Sequence, residues 1–175
     1  NYAAYCHYYF GGCALSDFDM VIRGGTVVNA AEISKCDVGI KDGRIVALGE
    51  KLDSGAEEID ATGKYVMPGG IDSHCHIDQR SSGGGRNSET FESGTRSAAC
   101  GGTTTIICFA AQEKGELLTP VVEEYHDKAK QSCIDYSFHL IISDPSDEVM
   151  HEEVPKLIKA GHRSLKLFMT YPRNR

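Results

Sequence analysis

The feature that most limits what this chain can fold into is the run Met67-Pro68-Gly69-Gly70-Ile71-Asp72-Ser73-His74-Cys75-His76. Two histidines at i and i+2 on an extended chain place both imidazoles on one side, because strand side chains alternate with period two. A Pro-Gly-Gly entry, an apolar Ile71 and then His-x-His predict a buried strand that ends in a metal site. Alone, His-x-His is a weak signal, also read as a pair of ordinary strand histidines. Lys166 adds weight. It lies in Ser164-Leu165-Lys166-Leu167-Phe168-Met169-Thr170-Tyr171, a stretch that reads as a strand buried on both faces. Unpaired lysines are almost never fully buried, so the fold must neutralise or use this amine.

Ahead of this run the signals are short strands. Residues 19–23 lead through Gly24-Gly25 to residues 26–30, and residues 37–41 meet 44–48 across Asp42-Gly43, a pair suited to a type I′ hairpin turn. Residues 58–60 and 65–67 complete a small β domain. After Pro68 the pattern changes to strand, helix, strand, helix. Thr90 caps a helix running to about Cys100, with Ala98 and Ala99 facing inward and Gly101 stopping it. Strands follow at 103–109, 136–142 and 164–169. Helices are expected at 118–132, with Pro120 in the first turn, and at 147–160. Alternation of this kind implies a parallel sheet, doubly wound or closed as a barrel, and periodicity does not separate the two.

Four motifs in this order resemble the amino-terminal half of the dihydropyrimidinase and D-hydantoinase branch of the metal-dependent amidohydrolases. They are Pro68 to His76, Phe91-Glu92-Ser93-Gly94-Thr95-Arg96, Gly101-Gly102-Thr103-Thr104-Thr105, and Ser164 to Tyr171. The resemblance covers residues 17–171. It implies an α/β fold: the amino-terminal half of a metal-dependent (β/α)8 TIM barrel, residues 67–175, preceded by part of a small β-sandwich, residues 17–66. Residues 1–16 match nothing and read as a leader foreign to the fold, added artificially or through an imperfect gene boundary. A whole barrel takes roughly 250 residues. Four strands are half of one, so the chain reads as a fragment, expected to be inactive alone and to associate through open apolar surface.

What the resemblance implies for chemistry is hydrolysis of a cyclic amide, a dihydropyrimidine or a hydantoin, by metal-activated water. His74, His76 and Lys166 would be metal ligands. Lys166 would be carboxylated and would bridge two divalent ions, zinc being suited to neutral imidazoles. A desolvated lysine amine is nucleophilic enough for that carboxylation. Tyr171 would donate its hydroxyl to the substrate carbonyl and stabilise the oxyanion; unaided, it also reads as a rim aromatic. The family's remaining ligands, two histidines and an aspartate, would lie beyond Arg175, and the complete form is expected to be a homotetramer. A dihydroorotase-like role is disfavoured because position 78 is Asp where that pattern has Arg. The alternatives are an allantoinase-like hydrolase and a non-catalytic dihydropyrimidinase-related scaffold, which the survival of His74, His76 and Lys166 disfavours.

Other polar groups have plainer readings. Asp72 supports the histidines rather than ligating, and Asp78 is a loop residue without a metal role. His126, His151 and His162 read as solvated, and His139 as a satisfied core histidine. Glu123-Glu124 and Glu152-Glu153 read as helix surface charge, and Cys75, Cys100, Cys108 and Cys133 as small core residues. Cys6-His7 with Cys13 fits no zinc spacing, and Gly83-Gly84-Gly85 does not open a phosphate-binding helix. A net charge of −7 argues against nucleic acid or anionic membrane as a partner. Seven scattered cysteines favour a reducing, cytoplasmic compartment.

Overall fold

The structure, a computed structural model, describes residues 17–80 and 85–169. The chain divides into two compact units between Pro68 and Gly69.

The first unit is a five-stranded sheet of β1 (Phe18–Val28), β2 (Ile33–Lys41), β3 (Arg44–Gly49), β4 (Gly55–Asp60) and β5 (Tyr65–Val66), in the order β3-β2-β1-β4 with β5 also on β1. The hairpin between β2 and β3 turns at Asp42 (φ 50°) and Gly43 (φ 68°), the pair of positive angles that a type I′ turn requires. Gly24-Gly25 does not break the first strand in two. It forms a bulge, with the β1–β2 register shifting between Ile22 and Gly25 and Gly24 at φ 63°. That left-handed residue points its N–H at Asp37 Oδ1, 2.8 Å away. Asp37, 6% exposed, also accepts from Leu52 N at 3.2 Å and Arg23 Nη1 at 2.9 Å. The Gly24 N–H is the main influence holding its carboxyl below the usual range, against the opposing effect of burial.

The second unit is a parallel sheet of β6 (Gly70–Asp72), β7 (Thr103–Ala111), β8 (Asp135–Ile141) and β9 (Leu165–Lys166), in sequential order. Helices α1 (Phe91–Cys100) and α2 (Leu118–Ala129) connect the first three strands. Gly69 is required at the entry, since a Cβ there would lie 2.0 Å from Thr104 Oγ1. β6 stops at Asp72, so His74 and His76 follow the strand rather than end it, and Ile71 is 68% exposed, not buried. β9 is likewise two residues long, and Leu167 and Met169 beyond it are 62% and 85% exposed. β6 and β9 are the two edge strands of this sheet among the described residues, so their apolar side chains lack the neighbours that apolar composition alone implies.

Thr90 caps α1 with Ser93 in a reciprocal capping box. The buried face of α1 is Phe91 and Thr95, one turn apart; Ala99 is exposed and Ala98 half-buried. Thr95 fits the core because its hydroxyl accepts the Cys133 N–H at 3.1 Å and donates to Phe91 O. Cys100 and Cys133 are exposed, while Cys108 is fully buried and Cys75 half-buried. The expected third helix contains a π-helical turn, Val149–Glu153, before α3 (Val154–Lys159). Pro155 has no N–H to give His151 O, and the widened turn lets Val154 N–H reach Val149 O instead.

Even-numbered residues of β7 and β8 (Ile106, Cys108, Ala110, Phe138, Leu140) belong to the main core with Leu118, Val121, Val122 and Tyr125 of α2. Phe109 pairs with His139, and Ile141 with Lys166, so period-two alternation puts these four on the opposite face. No helix among the described residues is long and apolar enough to cross a membrane.

Candidate functional site

The structure brings His74, His76 and Lys166 together around the ring of Phe109. His74 meets it edge-on with centroids 4.7 Å apart, and His76 stacks on it at 4.7 Å and 15°. The two imidazole centroids are 5.4 Å apart. Lys166 Nζ stands 4.1 Å from the Phe109 centroid and 5.1 Å from that of Phe168. The amine is half-buried, and aromatic faces receive its charge; among the described residues no carboxylate pairs with it. Tyr171 lies outside the described residues.

Each histidine is held through its backbone and its neighbours. Asp72 Oδ1 accepts the His74 N–H at 3.0 Å, which turns the chain just past β6. Asn87 Nδ2 donates to His76 O at 2.9 Å, and His76 Nδ1 donates to Gln79 Oε1 at 2.5 Å. That bond leaves Nε2 of His76 as the nitrogen with a free lone pair. Arg80 then anchors the loop to α2, pairing with Glu116 at 2.9 Å and with Glu124. Glu124 is therefore part of an ion-pair cluster with Arg80, Arg86 and Lys128, not plain surface charge. Asp78, at φ 45°, pairs with Arg86 at 3.4 Å.

His139 is a third ring on Phe109, 4.9 Å away, and joins the two arms of the site. Its Nε2–H donates to Ser73 O at 2.9 Å, and its Nδ1 accepts from the Ser164 hydroxyl at 2.6 Å. Both of its nitrogens are thus used, as befits a satisfied histidine. Cys75, between the two candidate ligands, has its Sγ 3.3 Å from Cys108 Sγ. The bond from Cys108 holds the Cys75 thiol below its usual range, and the same bond, then burial, pushes Cys108 far up. Among the described residues no three His, Cys, Asp or Glu side chains form a metal-holding group. The donors available to an ion here are the two imidazoles and Lys166.

Phe109 and His139 were missed as organisers of the site. The signal available for them was register: a strand residue paired with another lies on the same face as that partner.

Residues 13–66 match the family model of the urease alpha-subunit, N-terminal domain. Over 154 residues the chain is 51% identical to a D-hydantoinase of Geobacillus stearothermophilus, covering 86% of this chain and 32% of that protein. It is 40% identical over 164 residues to a dihydropyrimidinase of Arabidopsis thaliana, covering 92% of this chain and 30% of the other. The chain is a relative of the D-hydantoinases and dihydropyrimidinases. It spans about a third of the length of the curated relatives it matches. A solved D-hydantoinase superposes with a TM-score of 0.84 at 44% identity, over 89% of this chain and 34% of that one. This likeness resolves the choice left open by periodicity. The sheet β6-β7-β8-β9 is a curled parallel half-barrel of the amidohydrolase type. Its unbroken sequential order agrees with that, since a doubly wound sheet reverses order part-way.

Proposed function

We propose that the complete protein opens small cyclic amides, hydantoins or dihydropyrimidines, by hydrolysing a ring C–N bond at a centre of two divalent metal ions, zinc in the first instance. The observation that carries this reading is the convergence of His74, His76 and Lys166 on Phe109 from the carboxyl ends of β6 and β9. Carboxyl ends of parallel strands are where barrel enzymes assemble their sites. The names of the relatives supply the substrate class.

The residues fit such a centre. His76 presents Nε2 with its tautomer set by Gln79, and neutral imidazoles are suitable zinc ligands. The Lys166 amine, once its ammonium form had given up a proton, would attack carbon dioxide and release a second proton, leaving a carboxylate-like anion able to bridge where a cation stood over two aromatic rings. Bound metal would acidify a water molecule and polarise the substrate carbonyl. Tyr171 would donate its hydroxyl to that carbonyl oxygen. His139 would keep the His74 and Lys166 arms in register by its bonds to Ser73 and Ser164. A homotetramer in the cytoplasm completes the reading.

The test is metal content and ring opening of hydantoin and dihydrouracil by the complete protein. Lys166→Ala is expected to lose metal and activity, and short carboxylic acids to restore part of both. A fully active Lys166→Ala protein, or unchanged metal content in His74→Ala, refutes the assignment.

A further inference from the structure

Elsewhere in the second unit, α2 and the turn before β9 bring two other imidazoles edge to edge. His126 Nε2 and His162 Nε2 are 3.3 Å apart, with ring centroids at 5.2 Å. Both were expected to be solvated; both are half-buried. His126 follows the buried Tyr125 and meets Phe138 edge-on at 5.0 Å and Tyr136 at 5.9 Å. Gly161, at φ 112°, turns the chain out of α3, and His162 N–H donates to Leu157 O at 3.0 Å. Backbone and aromatic neighbours thus aim both rings before any ligand arrives. Burial pushes both imidazoles below their ordinary range, with repulsion from His162 also acting on His126, so both are neutral at pH 7.

The spacing admits two uses of such a pair. One neutral ring can donate its N–H to the other at 3.3 Å, a long hydrogen bond. Two nitrogens bound at about 2.0–2.1 Å to one tetrahedral zinc are about 3.3–3.4 Å apart. We propose that His126 and His162 form a second metal site, a two-histidine clip for one divalent transition ion that favours imidazole, zinc or copper, with water completing the coordination. Neutral imidazole is the ligand these ions select, and neither residue belongs to the candidate centre. The clip ties α2 to the segment that enters β9 four residues before Lys166, so an ion bound there stabilises only the folded arrangement.

The experiment is zinc binding by equilibrium dialysis on the chain of residues 1–175 carrying His74→Ala and His76→Ala, which removes both imidazoles that this stretch gives to the candidate centre. One zinc ion per chain is expected, lost when His162→Asn or His126→Asn is added while far-UV circular dichroism is unchanged. Retention of that ion by either folded asparagine variant overturns the proposal, as does the absence of binding before asparagine is introduced. Should the substituted chains fail to fold, 15N–1H spectra of the unsubstituted imidazoles decide. Zinc must move the Nε2 resonances of both His126 and His162, and resonances that stay in place overturn the clip.

Discussion

Replacing Glu153 by alanine removes a carboxylate that looks, in sequence, like one of many on a helix surface. Glu153 is 9% exposed, and its two oxygens accept the first amides of α2: Leu118 N–H, and Thr119 N–H at 3.0 Å. Leu117, in the cap position, has no side chain able to do this. Glu153 is therefore a cap supplied 35 residues away in sequence. Leu118 is fully buried, so its N–H finds no water once the carboxylate is gone; Thr119 is half-buried and partly recovers. An unsatisfied buried donor costs about 1–3 kcal/mol, and the lost charge at the helix N-terminus adds about 0.3–1 kcal/mol. Glu153→Ala is expected to destabilise by about 2–3 kcal/mol. Glu153→Gln, keeping one acceptor oxygen, should lose about half of that.

The effect depends on pH in a definite direction. Burial by itself raises the Glu153 pKa, but bonds from Thr119 and Leu118 outweigh it and bring the folded value below the ordinary one. The carboxylate therefore contributes its full stability above the unfolded pKa, about 4.3, and loses it as pH falls through the lower folded value. Urea denaturation followed by circular dichroism, at pH 7 and in steps down to acid, reads both effects. A Glu153→Ala protein within about 0.5 kcal/mol of the parent at pH 7 refutes the reasoning. So does a Glu153→Gln gap that fails to narrow in acid.

Other outcomes follow from the same structure. Asp37→Asn, which leaves Arg23, Gly24 and Leu52 one charged acceptor short, should destabilise by about 1–3 kcal/mol in urea, and an unchanged midpoint excludes the anchor role. Because the Asp37 pKa is depressed, its contribution too should be present near neutrality and fade in acid. His139→Leu should weaken metal binding by about 10- to 100-fold in the complete protein, the usual effect of losing a support behind metal ligands; unchanged affinity in a folded variant removes His139 from the site. Phe109→Leu preserves most of the apolar volume, so a stability change under about 1.5 kcal/mol is expected. Loss of metal affinity should accompany it, and full retention would show that the ring is not the platform for His74, His76 and Lys166.

Much of the local structure was legible because local rules govern it. Asp42-Gly43 marked its hairpin and Thr90 its helix cap, whereas the π turn ahead of α3 was not read from Pro155. The misreadings share one cause. Ala99, Cys100, Cys133, Leu167 and Met169 are apolar or small, and sequence reports that character without reporting whether another layer covers it. Glu153, Glu124 and His126 erred the other way: polar types assigned to solvent whose partners lie on other segments.

By itself the sequence determined the alternation of strand and helix, the change of pattern at Pro68, and the residue types a metal could use, His74, His76 and Lys166. These depend on spacing along one chain, and a spacing of two or of 3.6 residues is visible without any fold. Only the tertiary structure decided that the parallel sheet runs in sequential order and that Phe109 gathers the two imidazoles and the amine on one ring. It also decided that His139 joins Ser73 to Ser164 across the sheet. The physical reason is register. Which residue of one strand faces which residue of the next is set by packing of α1 and α2 against the opposite face, a sum over many weak apolar contacts that no single residue announces.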